Sequence, residues 1–387
     1  METILFNTHD LALLITIYEC ILFAFCMLLL KKGKKQSNVL LALFLLSYAA
    51  IPLDTLINFG AGFRQFAIDL SPNIFYLFGN AYWLESVFLL FYVRSLIYKN
   101  YQLKWQHGLY FVPFFLYFMH EYVQWYSLDE NVKIAILNGY TLSDEPTYVF
   151  YVNLFRECFR TFCGVLCLVE LRRYQKQIKN ELADIEPVDL TWLKVLVLGF
   201  LLIRIDAIVV TVGYIVSIQF GFEINYKILG LLSNWSVLFL IGFLIFFSIG
   251  FSTMFQGISS SKDKDKEHEK QPISMETVAL VTQYMKEQKP YLNHFLNIDN
   301  LANQLNIAPR ILSQIINRHF HQNFFEFINH YRVQESKELL VSEQHRKSTM
   351  VDVMDLAGFN SKATFNTFFK KAVGLTPTQY RKQQLQS

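Results

Sequence analysis

Long apolar segments separated by short polar stretches occupy the first two thirds of the chain. Each approaches the ~20 residues needed to cross the hydrocarbon core of a bilayer, and polar or charged residues bound each one. The pattern predicts seven transmembrane helices, at residues 11–30, 38–60, 72–97, 105–126, 148–171, 192–218 and 228–251. The basic cluster from Lys31 to Lys35 follows the first segment, so we interpret that segment as a retained span rather than a signal peptide.

The pattern of apolar and polar positions changes abruptly after Phe251. Residues 253–274 alternate in charge without an apolar period, which is typical of a linker. Helical periodicity returns over residues 275–387, a stretch long enough for a compact domain with its own core. The predicted fold is therefore all-α, with a seven-helix transmembrane domain at residues 1–252 followed by a cytoplasmic helical domain.

Two helix-turn-helix motifs are predicted within residues 275–387. The first covers about residues 299–319, where Asn306 tolerates a left-handed turn and Pro309 suits the start of a helix. The second covers about residues 350–372, with a turn at Gly358 and Ser361 as the cap of the following helix. A linking helix at 324–342 would span ~30 Å, close to the ~34 Å between successive major-groove faces of DNA on one side.

Charge divides the chain more clearly than its overall net charge of +3 suggests. Residues 1–261 carry 18 Lys and Arg against 19 Asp and Glu, whereas residues 262–387 carry 17 against 13. Short loops on one side of the predicted spans hold twelve basic residues, and those on the other side hold three. This bias places the N-terminus outside and the C-terminal domain in the cytoplasm of a bacterial cell, because basic loops stay on the cytoplasmic side.

Several ionisable residues lie inside the predicted spans, where charges are costly and usually face the interior of the bundle. The candidates for sensing a ligand are Glu85, Glu121, Arg156, Arg160, Arg204 and Asp206. Arg156 and Arg160 lie one helical turn apart, where two guanidinium groups could bind a carboxylate or phosphate. The alternative is an internal salt-bridge network. The five cysteines lie in apolar stretches, which favours packing, and no Cys/His cluster has zinc spacing, so no metal or cofactor is predicted.

The stretch from Leu301 to Leu340, followed by Met350 to Arg381, resembles the DNA-binding domain of the AraC/XylS family of transcriptional regulators. The resemblance covers about 113 residues, 275–387. Its most specific elements are GF at 358–359, FKK at 369–371, GxTP at 374–377 and YR at 380–381. The apolar part of the chain resembles only the general class of multi-span sensor regions fused to such domains.

The resemblance implies which positions meet DNA bases. These are Arg310, Ser313 and Gln314 in the first motif, and Lys362, Ala363, Asn366 and Thr367 in the second. Arg318, Lys370 and Lys371 could neutralise phosphates, although a solvated face is an equal alternative. Arginine is common in the family at the positions of Gln314 and Thr367, so the preferred DNA sequence cannot be carried over from relatives.

These observations predict a membrane-bound, one-component transcriptional regulator that is not an enzyme. Its expected partners are double-stranded promoter DNA, the lipid membrane and a small-molecule or peptide stimulus, with pairing of two copies and contact with RNA polymerase as further expectations. The alternative is a transporter-like or enzymatic membrane protein with a DNA-binding feedback domain. The chain has no H-E-x-x-H motif and no convincing internal repeat, but Pro52 and Pro113 could break two spans, which leaves transport open.

Overall fold

The structure is a computed structural model that describes residues 8–29, 34–98, 101–139, 147–185, 190–220, 234–243, 245–246 and 274–386. The described residues are mostly helical and form no β-strand, in agreement with the predicted all-α class. The chain forms two compact units. Unit 1 comprises residues 1–172 and 190–260, and unit 2 comprises residues 173–189 and 261–387.

Unit 1 contains apolar helices interrupted by shorter 3-10 and π turns. The α-helices of this part of the chain are α1 (Thr8–Leu29), α2 (Lys35–Phe59), α3 (Ala61–Leu70), α4 (Glu85–Ile97), α5 (Val112–Glu121), α6 (Glu130–Gly139), α7 (Thr147–Glu181), α8 (Thr191–Phe220) and α9 (Asn234–Phe243). Helix α2 packs against both α1 and α4 and has many buried positions, including Phe44 and Tyr48. The last residues of α7 belong to unit 2.

Four helical segments among the described residues are long and apolar enough to cross a membrane, which corrects the expectation of seven. They are Thr8–Leu29, Lys35–Phe59, Pro72–Ile97 and Thr191–Gly213. The stretch predicted at 105–126 is divided into a 3-10 helix, α5 and a π turn. The stretch predicted at 148–171 lies within the continuous helix α7. It is too charged to count as apolar enough to cross a membrane, because it holds Arg156, Glu157, Arg160 and Glu170.

The seventh predicted span, at 228–251, is described only in part. Its described portion includes the short apolar helix α9. The predicted linker at 253–274 lies outside the described residues except for Ser274.

Unit 2 contains two helix-turn-helix motifs joined by one helix. Its elements are α10 (Met275–Glu287), α11 (Ile298–Gln304), α12 (Pro309–Arg318), α13 (Phe324–Val341), α14 (Met350–Leu356), α15 (Lys362–Val373) and α16 (Pro377–Gln386). Helices α11 and α12 form the first motif, which we call HTH1, and α14 and α15 form the second, HTH2. Helix α13 is about 27 Å long at 1.5 Å per residue.

Helix α13 contributes to two separate hydrophobic cores. Its first half buries Phe324, Phe327 and Ile328 against residues of α10 and HTH1. Its second half buries Val333 and Leu340 against residues of HTH2. Asn323 begins the helix with a capping box, since its side chain accepts from the Glu326 amide while the Glu326 carboxylate accepts from the Asn323 amide. One helix therefore supports both motifs.

The turns of the motifs use residues that tolerate positive φ. Asn306 has a φ of 55° between α11 and α12, and Gly358 has a φ of 85° between α14 and α15. A Cβ atom at Gly358 would lie 2.5 Å from the Tyr291 carbonyl oxygen and 2.8 Å from the Leu292 Cα. Gly358 therefore serves two purposes, because it adopts the left-handed conformation and lets the backbones approach closely.

We expect Gly358→Ala to destabilise unit 2 more than Gly374→Ala. Gly374 also has positive φ, at 82°, but has open space around it, so the substitution should cost only the ~1–2 kcal/mol of a left-handed conformation. Gly358→Ala adds a backbone clash and should cost about 2 kcal/mol more. Hydrogen-exchange mass spectrometry of peptides from 274–386 in the full-length protein measures both changes. Equal losses of protection would show that the close approach does not matter.

Candidate functional site

The second helix of HTH1 presents an exposed polar face over a buried apolar one. Helix α12 begins at Pro309, which needs no amide partner in the first turn. Arg310 is exposed, and Ser313 and Gln314 are half-buried. Leu312, Ile315 and Ile316 are fully buried in the core of HTH1. The three positions predicted to meet bases therefore lie off the core, where DNA could reach them.

The second helix of HTH2 has the same arrangement. Ser361 caps α15, because its hydroxyl accepts from the Thr364 amide at 3.4 Å. The positions predicted to meet bases are all exposed on α15, and they are Lys362, Ala363, Asn366 and Thr367. Phe365 and Phe369 are buried beneath them, and Phe368 is half-buried against the same core. Helix α15 thus combines a well-packed inner face with an accessible outer face.

The predicted phosphate contacts are also accessible. Arg318 lies in the last turn of α12, and Lys370 and Lys371 lie in the last turn of α15, all exposed. The Lys371 ammonium lies 3.9 Å from Glu326, which is a loose surface pair of little energetic weight. All three side chains are positively charged and could pair with DNA phosphates.

Asn317 is one residue that the sequence did not single out. It is exposed one turn beyond Ser313, and its side-chain amide donates to the Ser313 carbonyl at 2.8 Å and the Ser313 hydroxyl at 3.2 Å. This bond orients a side chain predicted to meet DNA. The i, i+4 spacing from Ser313 is the signal that could have indicated it.

A buried arginine organises the region between the two motifs. Arg332 on α13 is 1% exposed and donates from Nε to the Tyr291 carbonyl at 2.8 Å and from an Nη to the Asn293 carbonyl at 2.9 Å. Burial lowers the pKa of Arg332 to about 10, and the nearby Asp184 carboxylate opposes that shift. The guanidinium therefore remains protonated at neutral pH. It also lies 5.8 Å from the centroid of the Phe359 ring of HTH2.

Unit 1 contains a second candidate site, a cluster of buried ion pairs. Arg160 on α7 donates to the Glu85 carboxylate of α4 at 2.6 Å and to the Glu157 carboxylate at 2.6 Å. Arg204 on α8 donates to the other Glu157 oxygen at 3.2 Å. The four side chains are 0–5% exposed. Breaking such a pair costs about 3–5 kcal/mol, because the remaining charge stays buried without compensation.

The structure brings together some of the predicted sensing residues and separates others. Arg156 joins the cluster, with Nε 3.5 Å from Glu157 and its guanidinium 4.2 Å from the Tyr82 ring centroid. Glu121 is also buried, with an oxygen 3.7 Å from His120 Nδ1. Asp206 is exposed on α8. Arg156 and Arg160 are largely paired within the protein, which matches the network that we considered as the alternative to ligand contact.

A cavity of about 140 Å³ adjoins the ion-pair cluster. Its polar lining includes Glu157, Arg160, Arg204, Tyr48 and Asn234, and Leu13, Ile51, Pro52, Ala207 and Val237 supply apolar walls. The Arg204 Nε and the Tyr48 hydroxyl are buried and have no hydrogen-bond partner among the described residues. Tyr48 and Asn234 were not predicted from the sequence, because a tyrosine or asparagine in an apolar segment has no distinctive spacing. Two buried donors beside open space can accommodate an acceptor oxygen from a small molecule.

Part of the chain matches a known protein family. Residues 301–383 match a family model described as a helix-turn-helix domain. No match was found among curated proteins or solved structures. The matched region covers HTH1 from Leu301 onward, α13 and HTH2, and it supports the resemblance to the AraC-type DNA-binding domain. The chain thus carries a DNA-binding domain of the kind found in transcription regulators, which suggests a regulator rather than an enzyme.

Proposed function

We propose that this protein is a membrane-bound transcriptional regulator that binds promoter DNA through both helix-turn-helix motifs. The observation that carries the proposal is the pair of amphipathic helices α12 and α15, each with its apolar face buried and its polar face accessible, within a matched helix-turn-helix region. Because α13 supports both motifs, one chain can offer two recognition helices to successive major grooves.

The chemistry of the exposed positions suits direct reading of bases. Arginine can donate two hydrogen bonds to guanine, and asparagine can pair with adenine in the major groove. We assign these roles to Arg310 on α12 and Asn366 on α15, with Ser313, Gln314, Lys362, Ala363 and Thr367 beside them. Lys370, Lys371 and Arg318 supply contacts to phosphates, which add affinity without sequence information.

Four helices long and apolar enough to cross a bilayer support a membrane location for unit 1. We propose that unit 2 lies in the cytoplasm of a bacterial cell, since DNA is accessible there. Two copies could pair through the membrane part, which would double the contacts with DNA.

We further propose that the cavity beside Glu157 and Arg204 receives the stimulus. An acceptor group on a small molecule would bind the Arg204 Nε and the Tyr48 hydroxyl, while the apolar wall would contact a short carbon chain. Binding could shift the protein between two states only if the molecule binds one of them more tightly. The ion pair between Glu157 and Arg204 joins α7 to α8, so a change at the cavity has a direct route to both helices.

DNA binding is tested with the full-length protein in lipid nanodiscs and the genomic fragments that it selects. We expect Arg310→Ala and Asn366→Ala each to weaken binding to a selected fragment by about 1–3 kcal/mol, with little effect on scrambled DNA, because base contacts carry the specificity. Lys370→Ala should weaken binding to both DNAs equally and lower the salt slope by about 1, as expected for a phosphate contact.

The control variant is Lys286→Ala, which removes an exposed basic residue of α10 outside both motifs. It should bind selected DNA like the wild type. If Arg310→Ala lost affinity equally on selected and scrambled DNA, the assignment to base contact would be wrong. If the wild-type protein selected no fragments at all, the proposed function itself would fail.

The stimulus site is tested by comparing Arg204→Gln with Asp206→Asn in a deletion strain. Arg204 faces the cavity, whereas Asp206 lies two residues further along the same helix and is exposed. We expect Arg204→Gln to abolish the difference in target transcripts between growth conditions, while nanodisc-embedded protein keeps its affinity for DNA. Asp206→Asn should respond normally. A normal transcript response from Arg204→Gln would show that the ion-pair cluster has only a structural role.

A further inference from the structure

The last part of α7 belongs to the DNA-binding unit. Residues 173–189 group with residues 261–387, although residues 190–260 separate them in sequence. We call residues 173–185, which include the end of α7 and the four residues after it, the α7 tail. Its position there was not predicted from the sequence, which assigned these residues to a loop between spans.

Main-chain hydrogen bonding joins the α7 tail to the entry of HTH1. Leu182 forms an antiparallel bridge with Asn297, and the Ala183 amide donates to the Leu296 carbonyl at 3.1 Å. Asn297 is the N-cap of α11, since its side chain accepts from the Asn300 amide at 2.8 Å. The tail therefore pairs with the segment that begins the first helix of HTH1.

Ala183 occupies the core between the tail and α13. The residue is fully buried and belongs to the same hydrophobic cluster as Leu296 and Ile298. Its carbonyl accepts from Arg332 Nη1 at 3.3 Å and from the Asn329 side-chain amide at 3.4 Å. Arg332 and Asn329 are themselves buried, so without the tail these donors would lose an acceptor in a place that water reaches poorly.

The next residue of the tail contacts HTH2. The Asp184 carboxylate accepts from the Asn360 side-chain amide at 3.1 Å. Asn360 immediately precedes Ser361, the cap of α15, and follows the turn at Gly358 that packs on Tyr291 and Leu292. Three consecutive residues, 182–184, therefore contact the start of α11 in HTH1, the linking helix α13 and the start of α15 in HTH2.

The contacts of the tail leave the DNA-facing positions open. Arg310 on α12 and Lys362, Asn366 and Thr367 on α15 are exposed while residues 182–184 are bound to unit 2. The bound tail therefore does not block DNA. Its contacts instead restrain the two motifs relative to each other, because they fall on the segments that begin α11 and α15.

We propose that the α7 tail is an intramolecular clamp that holds HTH1 and HTH2 in the orientation required to bind DNA together. This inference rests on the proposed function of unit 2 as a DNA-binding unit. The α7 tail continues the helix that carries Glu157 and Arg160. Helix α7 therefore controls DNA binding by releasing the tail from unit 2 or keeping it bound there. The bound tail corresponds to the binding-competent state.

The first experiment compares Ala183→Trp with Lys179→Trp in the full-length protein in nanodiscs. Tryptophan cannot occupy the enclosed position of Ala183, whereas Lys179 is exposed on the same tail. We expect Ala183→Trp to lower affinity for selected DNA at least tenfold and to shorten the nuclease footprint from two adjacent major-groove segments to one. Lys179→Trp should stay within twofold of the wild type with a full footprint. Full affinity and a full footprint for Ala183→Trp would overturn the clamp.

The second experiment measures whether the tail is bound in the embedded protein. Ala183→Cys and Lys179→Cys are labelled with N-ethylmaleimide, and peptide mass mapping reads each site separately from the five native cysteines. We expect Ala183→Cys to react at least tenfold more slowly than Lys179→Cys, and more slowly still with selected DNA present. Equal rates would overturn the inference. If hydrogen exchange shows that Ala183→Trp unfolds either hydrophobic core of unit 2, the labelling rates alone test the inference.

The two experiments separate this inference from the proposed function. If the wild-type protein selects no DNA, the proposed function fails and the inference with it. If the wild-type protein selects DNA and gives a footprint over two grooves, but both Ala183 variants behave like their Lys179 controls, only the clamp is wrong.

Discussion

A guanidinium buried inside a helical unit must find acceptors from several elements, and this constraint shapes both units. Arg160 in unit 1 is 1% exposed and reaches carboxylates on α4 and its own helix. Arg332 in unit 2 is equally buried and reaches carbonyl oxygens at Tyr291, Asn293 and Ala183. An unpaired charge at either place would be strongly unfavourable, so the surrounding segments are held where they can supply acceptors.

The two arginines use different partners, with different consequences. Glu85 and Glu157 neutralise Arg160, which creates a charged network next to a cavity with polar and apolar walls in unit 1. Arg332 donates hydrogen bonds to the main-chain oxygens of Tyr291, Asn293 and Ala183, so it acts as a hub for backbone segments rather than as half of an ion pair. Burial lowers its pKa to about 10, which leaves the hub charged at physiological pH.

The division between buried and accessible faces explains how unit 2 can be both stable and available to DNA. Phe365 and Phe369 anchor α15 in one core, while Leu312, Ile315 and Ile316 anchor α12 in the other. Because α13 lies in both cores, the orientation of one recognition helix depends on the other through a single rigid element. The α7 tail adds a second connection between the same two motifs, which is why its contacts bear on function.

The positions on α12 and α15 that are predicted to meet bases came from the resemblance to the AraC/XylS family. The sequence by itself determined the helical class and the two helix-turn-helix motifs. These follow from local rules: a 3.6-residue apolar period, a left-handed turn at Asn306 or Gly358, and a cap at Ser361. The number of spans was overestimated for two reasons. The apolar stretch at 105–126 breaks into short helices and turns, and the stretch at 148–171 carries too many charged residues to count as a span.

Only the tertiary structure decided which charges meet and where the α7 tail lies. Arg160 pairs with a residue 75 positions away, and Arg332 bonds to Ala183 across 149 positions. Such contacts leave no periodic signal, because they depend on how separate helices pack rather than on local backbone preference. Burial explains which of these contacts form, because each buried donor is stable only where the packed chain brings an acceptor to it.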